Sequence, residues 1–369
     1  MTIKKEQLYK LPYTKNNNPN GWIEPTTFCQ LRCPHCYRQV HKGKSEQSHR
    51  KLNDVLSEID ELIKIRNISH LSIAGGEPLL YPGLDEVIEY AVSKNLCVTL
   101  QTNGILIDKD RLISLDRLGV SRIIIHIDKF QNRESTNTEE GVNKIRKQYC
   151  NLFREVGGKV TLGFIMPLSD DNFKDLDILI PFFKENVDII KGITFTTLSV
   201  IPPGEKLPIK KLSSVEGIFD RVKKLYGLEY SSYLGKTKSD KIAWLFAYNV
   251  FSGGELLGSV DKDVIKMVQR DNYQRTGKYL FITNKNYLSW RSVLLIFNKS
   301  IWRMIIKYIF LKNKSKISGQ LLNFTNSPDN ISDGWSLCDG CPNAILFQGK
   351  LVPSCLLELV KIGEDIKVE

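Results

Sequence analysis

Three cysteines stand close together near the amino end, in the run Cys29-Gln-Leu-Arg-Cys33-Pro-His-Cys36-Tyr37. Thiolates separated by three and then two intervening residues can wrap one face of an iron–sulfur cube. The cube needs four ligands, so three thiolates leave one iron open to another molecule. A zinc ion would normally close its own tetrahedron with a fourth Cys or His. His35 is present in the loop, but its place between two ligands points it poorly. Farther along, Ala74-Gly75-Gly76-Glu77-Pro78 follows an apolar run. Its glycines let backbone approach a ligand closely, and Glu77 offers a carboxylate to an ammonium group. Alone such a turn says little; after a three-cysteine loop it says much more. Gln101-Thr102-Asn103-Gly104 supplies a hydroxyl and amides for ligand contacts, or makes a plain Asn-Gly turn. His126-Ile127-Asp128 sets an ionisable ring beside a carboxylate, either as functional groups or as a core histidine bonded locally. A second group, Cys338-Asp-Gly-Cys341-Pro and then Pro353-Ser-Cys355, also has metal-binding spacing. Cys97 and Cys150 stand alone and read as small buried hydrophobes.

These residues need a scaffold that gathers strand ends. Short runs rich in Val, Ile and Thr lie at 70–75, 97–104, 122–128, 159–166 and 188–198. They are apolar on both faces, as buried parallel strands are, and a first strand precedes them around 22–27. Amphipathic segments at 52–66, 83–95, 108–118, 138–156 and 172–185 alternate with them. In the first, Leu52, Val55, Leu56, Ile59, Leu62 and Ile63 show the spacing of a core-facing helix. The alternation predicts an α/β fold with right-handed crossovers. Six repeats instead of eight predict an open (β/α)6 partial TIM barrel with a C-terminal cysteine-containing extension. Sites in such sheets lie at the carboxyl ends of the strands, where the first-half motifs fall. The expected organisation is an amino-terminal segment over 1–21, the barrel core over 22–198, a helical and basic amphipathic region over 199–330, and the cysteine-bearing region over 331–369. Residues 200–208 read as a linker, and 239–259 fit neither helix nor strand clearly.

Across 369 residues, 42% hydrophobic and 25% charged content describe a globular chain. The amino-terminal stretch lacks the apolar core of a signal peptide, and no apolar run is long enough to span a bilayer. The expectation is a cytoplasmic protein whose cysteines serve metal and not disulfides. The net charge of +11 is concentrated. Between Asn272 and Pro328 there is no Asp or Glu, but there are ten basic residues: Arg275, Lys278, Lys285, Arg291, Lys299, Arg303, Lys307, Lys312, Lys314 and Lys316. Within this block Lys299, Arg303 and Lys307 share one helical face, and Ile301, Trp302, Ile305, Ile306, Ile309 and Phe310 cover much of the rest. That composition predicts a helix lying in a membrane interface, with an anionic membrane surface as partner and a peripheral place on the inner membrane face. A buried helix with a solvated basic stripe is the plainer alternative, and nucleic acid is the least favoured partner.

The paired Cys-x3-Cys-x2-Cys loop and Gly-Gly-Glu-Pro strand end resemble the signature of the radical S-adenosylmethionine (SAM) superfamily, over about residues 22–198. The resemblance implies that Cys29, Cys33 and Cys36 bind a [4Fe–4S] cluster whose open iron chelates the amino and carboxyl groups of SAM. It implies reductive cleavage of SAM to a 5′-deoxyadenosyl radical, which takes hydrogen from an unactivated carbon. Carried over by residue, Gly75, Gly76 and Glu77 contact the methionine moiety, and Tyr37 flanks the adenine. Thr102 and Asn103 suit ribose or carboxylate contacts. His126 and Asp128 stand where relatives often carry Ser-x-Asp, a departure that puts an ionisable ring near the radical. Cys338, Cys341 and Cys355 resemble the carboxyl-terminal half of SPASM or twitch domains, which hold auxiliary clusters. Three cysteines fit at most one second [4Fe–4S] cluster, its fourth ligand being distant, non-cysteine or the substrate; a structural zinc site is the alternative. The implied partners are SAM, an electron donor such as flavodoxin or ferredoxin, and an unknown organic substrate. A lipid or long-chain substrate at the membrane surface leads, ahead of a ribosomally made peptide and of a small sugar or nucleoside.

Overall fold

The computed structural model describes residues 3–38, 47–131, 133, 137–198, 212, 214–281, 295, 297–332, 334–361 and 363. Two short strands open the chain, β1 (Tyr9–Lys10) and β2 (Asn20–Ile23). Helix and strand then alternate: α1 (Leu52–Arg66), β3 (His70–Ile73), α2 (Leu84–Ser93), β4 (Cys97–Thr102), α3 (Lys109–Arg117), β5 (Val120–His126), α4 (Glu139–Val156), β6 (Thr161–Leu168), α5 (Leu176–Glu185) and β7 (Ile190–Thr197). Local chemistry sets the ends. α1 buries Val55, Ile59 and Leu62 and stops at Asn67, whose φ of 55° is a left-handed turn that Asn tolerates. The Asp108 and Thr138 side chains accept from the N–H groups of Arg111 and Gly141, capping α3 and α4. β2 to β7 pair in sequence order, every neighbour parallel. The partial barrel follows from these pairings.

The 199–330 span, expected to be a helical and basic amphipathic region, carries strands as well as helices among the described residues. α6 (Val215–Tyr226), α7 (Lys262–Thr276) and α8 (Lys299–Phe310) alternate with β8 (Ser232–Gly235), β9 (Ile242–Ser252), β10 (Glu255–Ser259) and β11 (Ile317–Thr325). β11 lies parallel to β7, β9 antiparallel to β11, and β8 antiparallel to β9, so the sheet runs on past the sixth parallel strand. β9 sits in mid-sheet and buries Ala243, Leu245, Phe246, Ala247 and Phe251. A strand apolar on both faces has no alternation to read, which is why 239–259 looked ambiguous. Residues 200–208 lie outside the described residues.

β1 takes the far edge beside β8, and β2 the near edge. Only the chain between Lys10 and Asn20 joins them, a reach of at most about 35 Å. Ten strands laid flat would span roughly 43 Å, so the sheet has to curl. The carboxyl-terminal segment fills the remaining gap with β12 (Asp329–Ile331), β13 (Gly334–Ser336), β14 (Ala344–Phe347), β15 (Lys350–Pro353) and α9 (Leu357–Lys361). On the β8 side, Thr237 N–H donates to Leu337 O and Asp339 N–H to Gly235 O, both at 2.9 Å. On the β2 side, the Asn20 amide donates to Pro342 O at 3.0 Å, and Ile345, Val352 and Leu357 pack with Trp22 and Ala74. Arg66, at the end of α1, donates to Cys341 O at 2.7 Å and Ala344 O at 3.2 Å. Gly340 has φ 63°, and a Cβ there would meet Tyr13 O at 2.3 Å, so only glycine fits that crossing. Among the described residues, no helix is long and apolar enough to cross a membrane.

Candidate active site

The loop that leaves β2 carries Cys29, Cys33 and Cys36, and Cys36 N–H closes a turn onto Cys33 O at 3.1 Å. Its exit is pinned to the end of β2. Tyr37 donates its hydroxyl to Glu24 Oε1 at 2.9 Å, and Arg38 pairs with Glu24 at 2.9 Å and with Glu358 of α9 at 2.5 Å. None of the eight cysteines is in a disulfide. Burial pushes the Cys29 and Cys33 thiols up, and the neighbouring sulfurs add to the rise. Charged thiolates therefore need cationic company there, which metal ions provide.

Gly76 explains the glycine pair. A Cβ on it would meet Phe28 O at 2.2 Å, because Gly76 N–H and Glu77 N–H donate to Thr26 O and Phe28 O of the cysteine loop. The close approach thus fastens the β3 end to the loop, while Gly75 and Gly76 also face the cavity described below. Glu77 is placed differently from its expected ligand contact. It is fully buried and off the cavity wall, and its carboxylate accepts from Thr102 Oγ1 at 2.6 Å, Asn103 N at 2.7 Å and Leu79 N at 3.0 Å. Burial raises its pKa, and these three donors oppose the rise. With its oxygens engaged, Glu77 orients Thr102 and Asn103, which do line the cavity. Asn103 in turn points its amide at Cys29 Sγ, 3.8 Å away.

His126 Nε2 meets Asp128 Oδ2 at 2.6 Å, and His35 Nε2 approaches the same oxygen at 3.3 Å. Burial alone would raise Asp128, but the His126 ring, with His35, holds it well below the usual carboxylate range. Asp128 is buried behind the two rings; His35 and His126 reach the cavity. His35, set aside from the sequence, is therefore part of the site. Arg133, off the cavity wall, braces it by donating to the carbonyls of Asn103 and His126 at 2.5 and 3.2 Å. Its sequence neighbourhood carried no motif that could have flagged it.

Cys338, Cys341 and Cys355 come from the segment that closes the barrel. The Cys341 thiol beside it, then burial, raise Cys338 strongly, while the Trp244 indole N–H and Lys236 lower it. Burial, then Cys338, raise Cys355. Lys236 is fixed next to them, donating to Ser327 O at 2.6 Å and to Asp329 at 2.8 Å. One cavity of about 270 Å³ is lined by both cysteine groups. Tyr37, Gly75, Gly76, Asn103, Trp244, Asn323 and Ser327 line it as well. Among the described residues, the set of three possible ligands whose atoms all lie within 4.8 Å is His35, His126 and Asp128. Their mutual hydrogen bonding accounts for that closeness. Neither cysteine triad is drawn into the roughly 3.8 Å separations that one zinc at about 2.3 Å from each sulfur would impose.

The partial barrel thus brings two cysteine triads to one cavity at its strand ends. Residues 23–182 match the Radical SAM superfamily, so the chain carries a radical SAM domain, whose cofactors are a [4Fe–4S] cluster and SAM. It is similar to the Fe-coproporphyrin III synthase of Methanosarcina barkeri, 26% identical over 230 residues, covering 60% of this chain and 56% of that protein. It is also similar to the PqqA peptide cyclase of Gluconobacter oxydans, 29% identical over 150 residues, covering 39% and 40%. Among solved structures, Streptococcus suis SuiB bound to S-adenosylmethionine aligns with a TM-score of 0.46 at 20% identity, covering 57% of this chain and 48% of that one. The chain thus spans about half the length of the curated relatives it matches.

Proposed function

We propose that Cys29, Cys33 and Cys36 hold the SAM-binding [4Fe–4S] cluster, and that the enzyme takes a hydrogen atom from an unactivated carbon of an organic substrate held between the two cysteine groups. When bound, the cluster and SAM supply the electron and the 5′-deoxyadenosyl radical. The observation that carries this reading is the single cavity shared by the two cysteine groups. In it, the backbone of Gly75 and Gly76 meets the methionine moiety, the Tyr37 ring lies along the adenine, and Thr102 and Asn103, set by Glu77, take polar contacts of SAM. Asp128 fixes the His126 ring at the cavity wall. Cys338, Cys341 and Cys355 hold a second [4Fe–4S] cluster, with Lys236 and the Trp244 N–H stabilising its thiolates. The curled sheet and the closing segment keep water from the radical. A flavodoxin or ferredoxin would reduce the cluster that passes this electron on.

For the substrate, a lipid or long chain met at the inner membrane face is favoured by the exposed apolar side of α8. A ribosomally made peptide is the second reading, favoured by the similarity to a PqqA peptide cyclase. The cluster assignment is tested by iron content after anaerobic reconstitution. The chain should take up about eight irons and the C338A/C341A/C355A variant about four. About four irons in the unaltered chain would remove the second cluster.

A further inference from the structure

α8 stands against β10, on the outside of the barrel. Asn298 caps it, accepting from the N–H groups of Ser300 and Ile301. Met304 is its buried residue and rests against Gly258. Turned away from that contact, Trp302, Ile305, Ile306, Ile309 and Phe310 are exposed, Phe310 by 79%. A run of large apolar side chains left in water marks an interaction surface.

Charge says what covers it. At about 100° per residue, Lys299 and Arg303 lie alongside the apolar face. Among the described residues neither is ion-paired, whereas Lys307 is bound to Glu255 at 2.8 Å and to Leu256 O at 2.6 Å. The basic stripe expected from the sequence therefore keeps two of its three charges free. Lys312, Lys314 and Lys316 follow at once and are exposed, and no acidic residue occurs from Asn272 to Pro328. A protein partner's interface is depleted in lysine at its core. A bilayer interface takes Trp, Phe and Ile into the acyl boundary while Lys and Arg reach the phosphates. We infer that α8, with residues 312–317, docks this protein on an anionic lipid bilayer, lying in the plane of the interface. The docking rests on α8 and residues 312–317, outside the cavity, so its failure would leave the SAM chemistry untouched.

The test is co-sedimentation of the full chain with vesicles of equal parts phosphatidylglycerol and phosphatidylcholine, and with vesicles of phosphatidylcholine alone. The protein should pellet with the anionic vesicles at low salt. It should be released as salt rises, because screening shortens from about 30 Å at 0.01 M to about 3 Å at 1 M. K299Q/R303Q should lower the partition coefficient on the order of thirtyfold, each charge near such a surface being worth about fivefold. W302A/F310A should lower it at every salt concentration, and 5′-deoxyadenosine formation should match the unaltered protein in both variants. Equal binding to both vesicle types, or no pelleting at low salt, overturns the proposal. So does self-association without vesicles that W302A/F310A abolishes, which would make this face a protein interface.

Discussion

The Glu77 carboxylate accepts hydrogen bonds from Thr102, Asn103 and Leu79, and the first two of these residues face the cavity. Removing it orphans buried donors, each at a cost of about 1–3 kcal/mol. E77A should therefore lose at least about 2 kcal/mol of stability and also bind SAM more weakly, because Asn103 is no longer held. Thermal unfolding read alongside SAM titration separates this from a direct ligand contact, which would weaken SAM binding with an unchanged melting temperature. The carboxylate's direction was hidden in the sequence, since Gly-Gly-Glu-Pro names a strand end without saying which way Glu77 turns. One local sign was present: an acid just before a proline caps the following turn, as Glu77 does for Leu79. His126 and Asp128 were legible as a pair from their spacing. That His35 completes the cluster depends on how the cysteine loop folds back, which spacing does not encode.

At the scale of elements, the strand and helix runs of the first half emerged because each is local: β-branched runs make β3 to β7, and 3.6-residue stripes make α1 to α5. The strands β8 to β11 did not, because their apolar content is set by partners far along the chain. β11 joins β7 and β9 across long sequence separations, and β9 is buried on both faces. The same non-locality governs the second cysteine group. Arg66 is 1% exposed, and burial lowers its pKa to about 10, yet it still holds the Cys341 and Ala344 carbonyls. Hydrogen bonds from a charged donor contribute about 1.5–3 kcal/mol each, so R66M should destabilise the protein by about 3 kcal/mol. It should also speed the reaction of Cys338 and Cys355 with a thiol reagent in the cluster-free protein, while buried Cys97 and Cys150 stay slow. Unchanged rates at Cys338 and Cys355 would show that Arg66 does not hold the segment.

For the whole molecule, the sheet's curl and the closing segment matter most, because they turn two distant motifs into one chamber. The partial barrel could be expected from six strand–helix repeats. The completion of its wall by β11, β9, β8 and β1, and by the residues around Cys338 to Cys355, depends on pairings that no single stretch of sequence announces. The assignment of Cys29, Cys33 and Cys36 as holders of the cleaving cluster is the claim on which the rest depends. Its most direct test is 5′-deoxyadenosine formation by anaerobically reconstituted protein given dithionite and SAM, compared with a C29A/C33A/C36A variant. The chain should form 5′-deoxyadenosine and the variant none, although the variant keeps the iron bound at Cys338, Cys341 and Cys355. Continued 5′-deoxyadenosine formation by that variant would contradict the account.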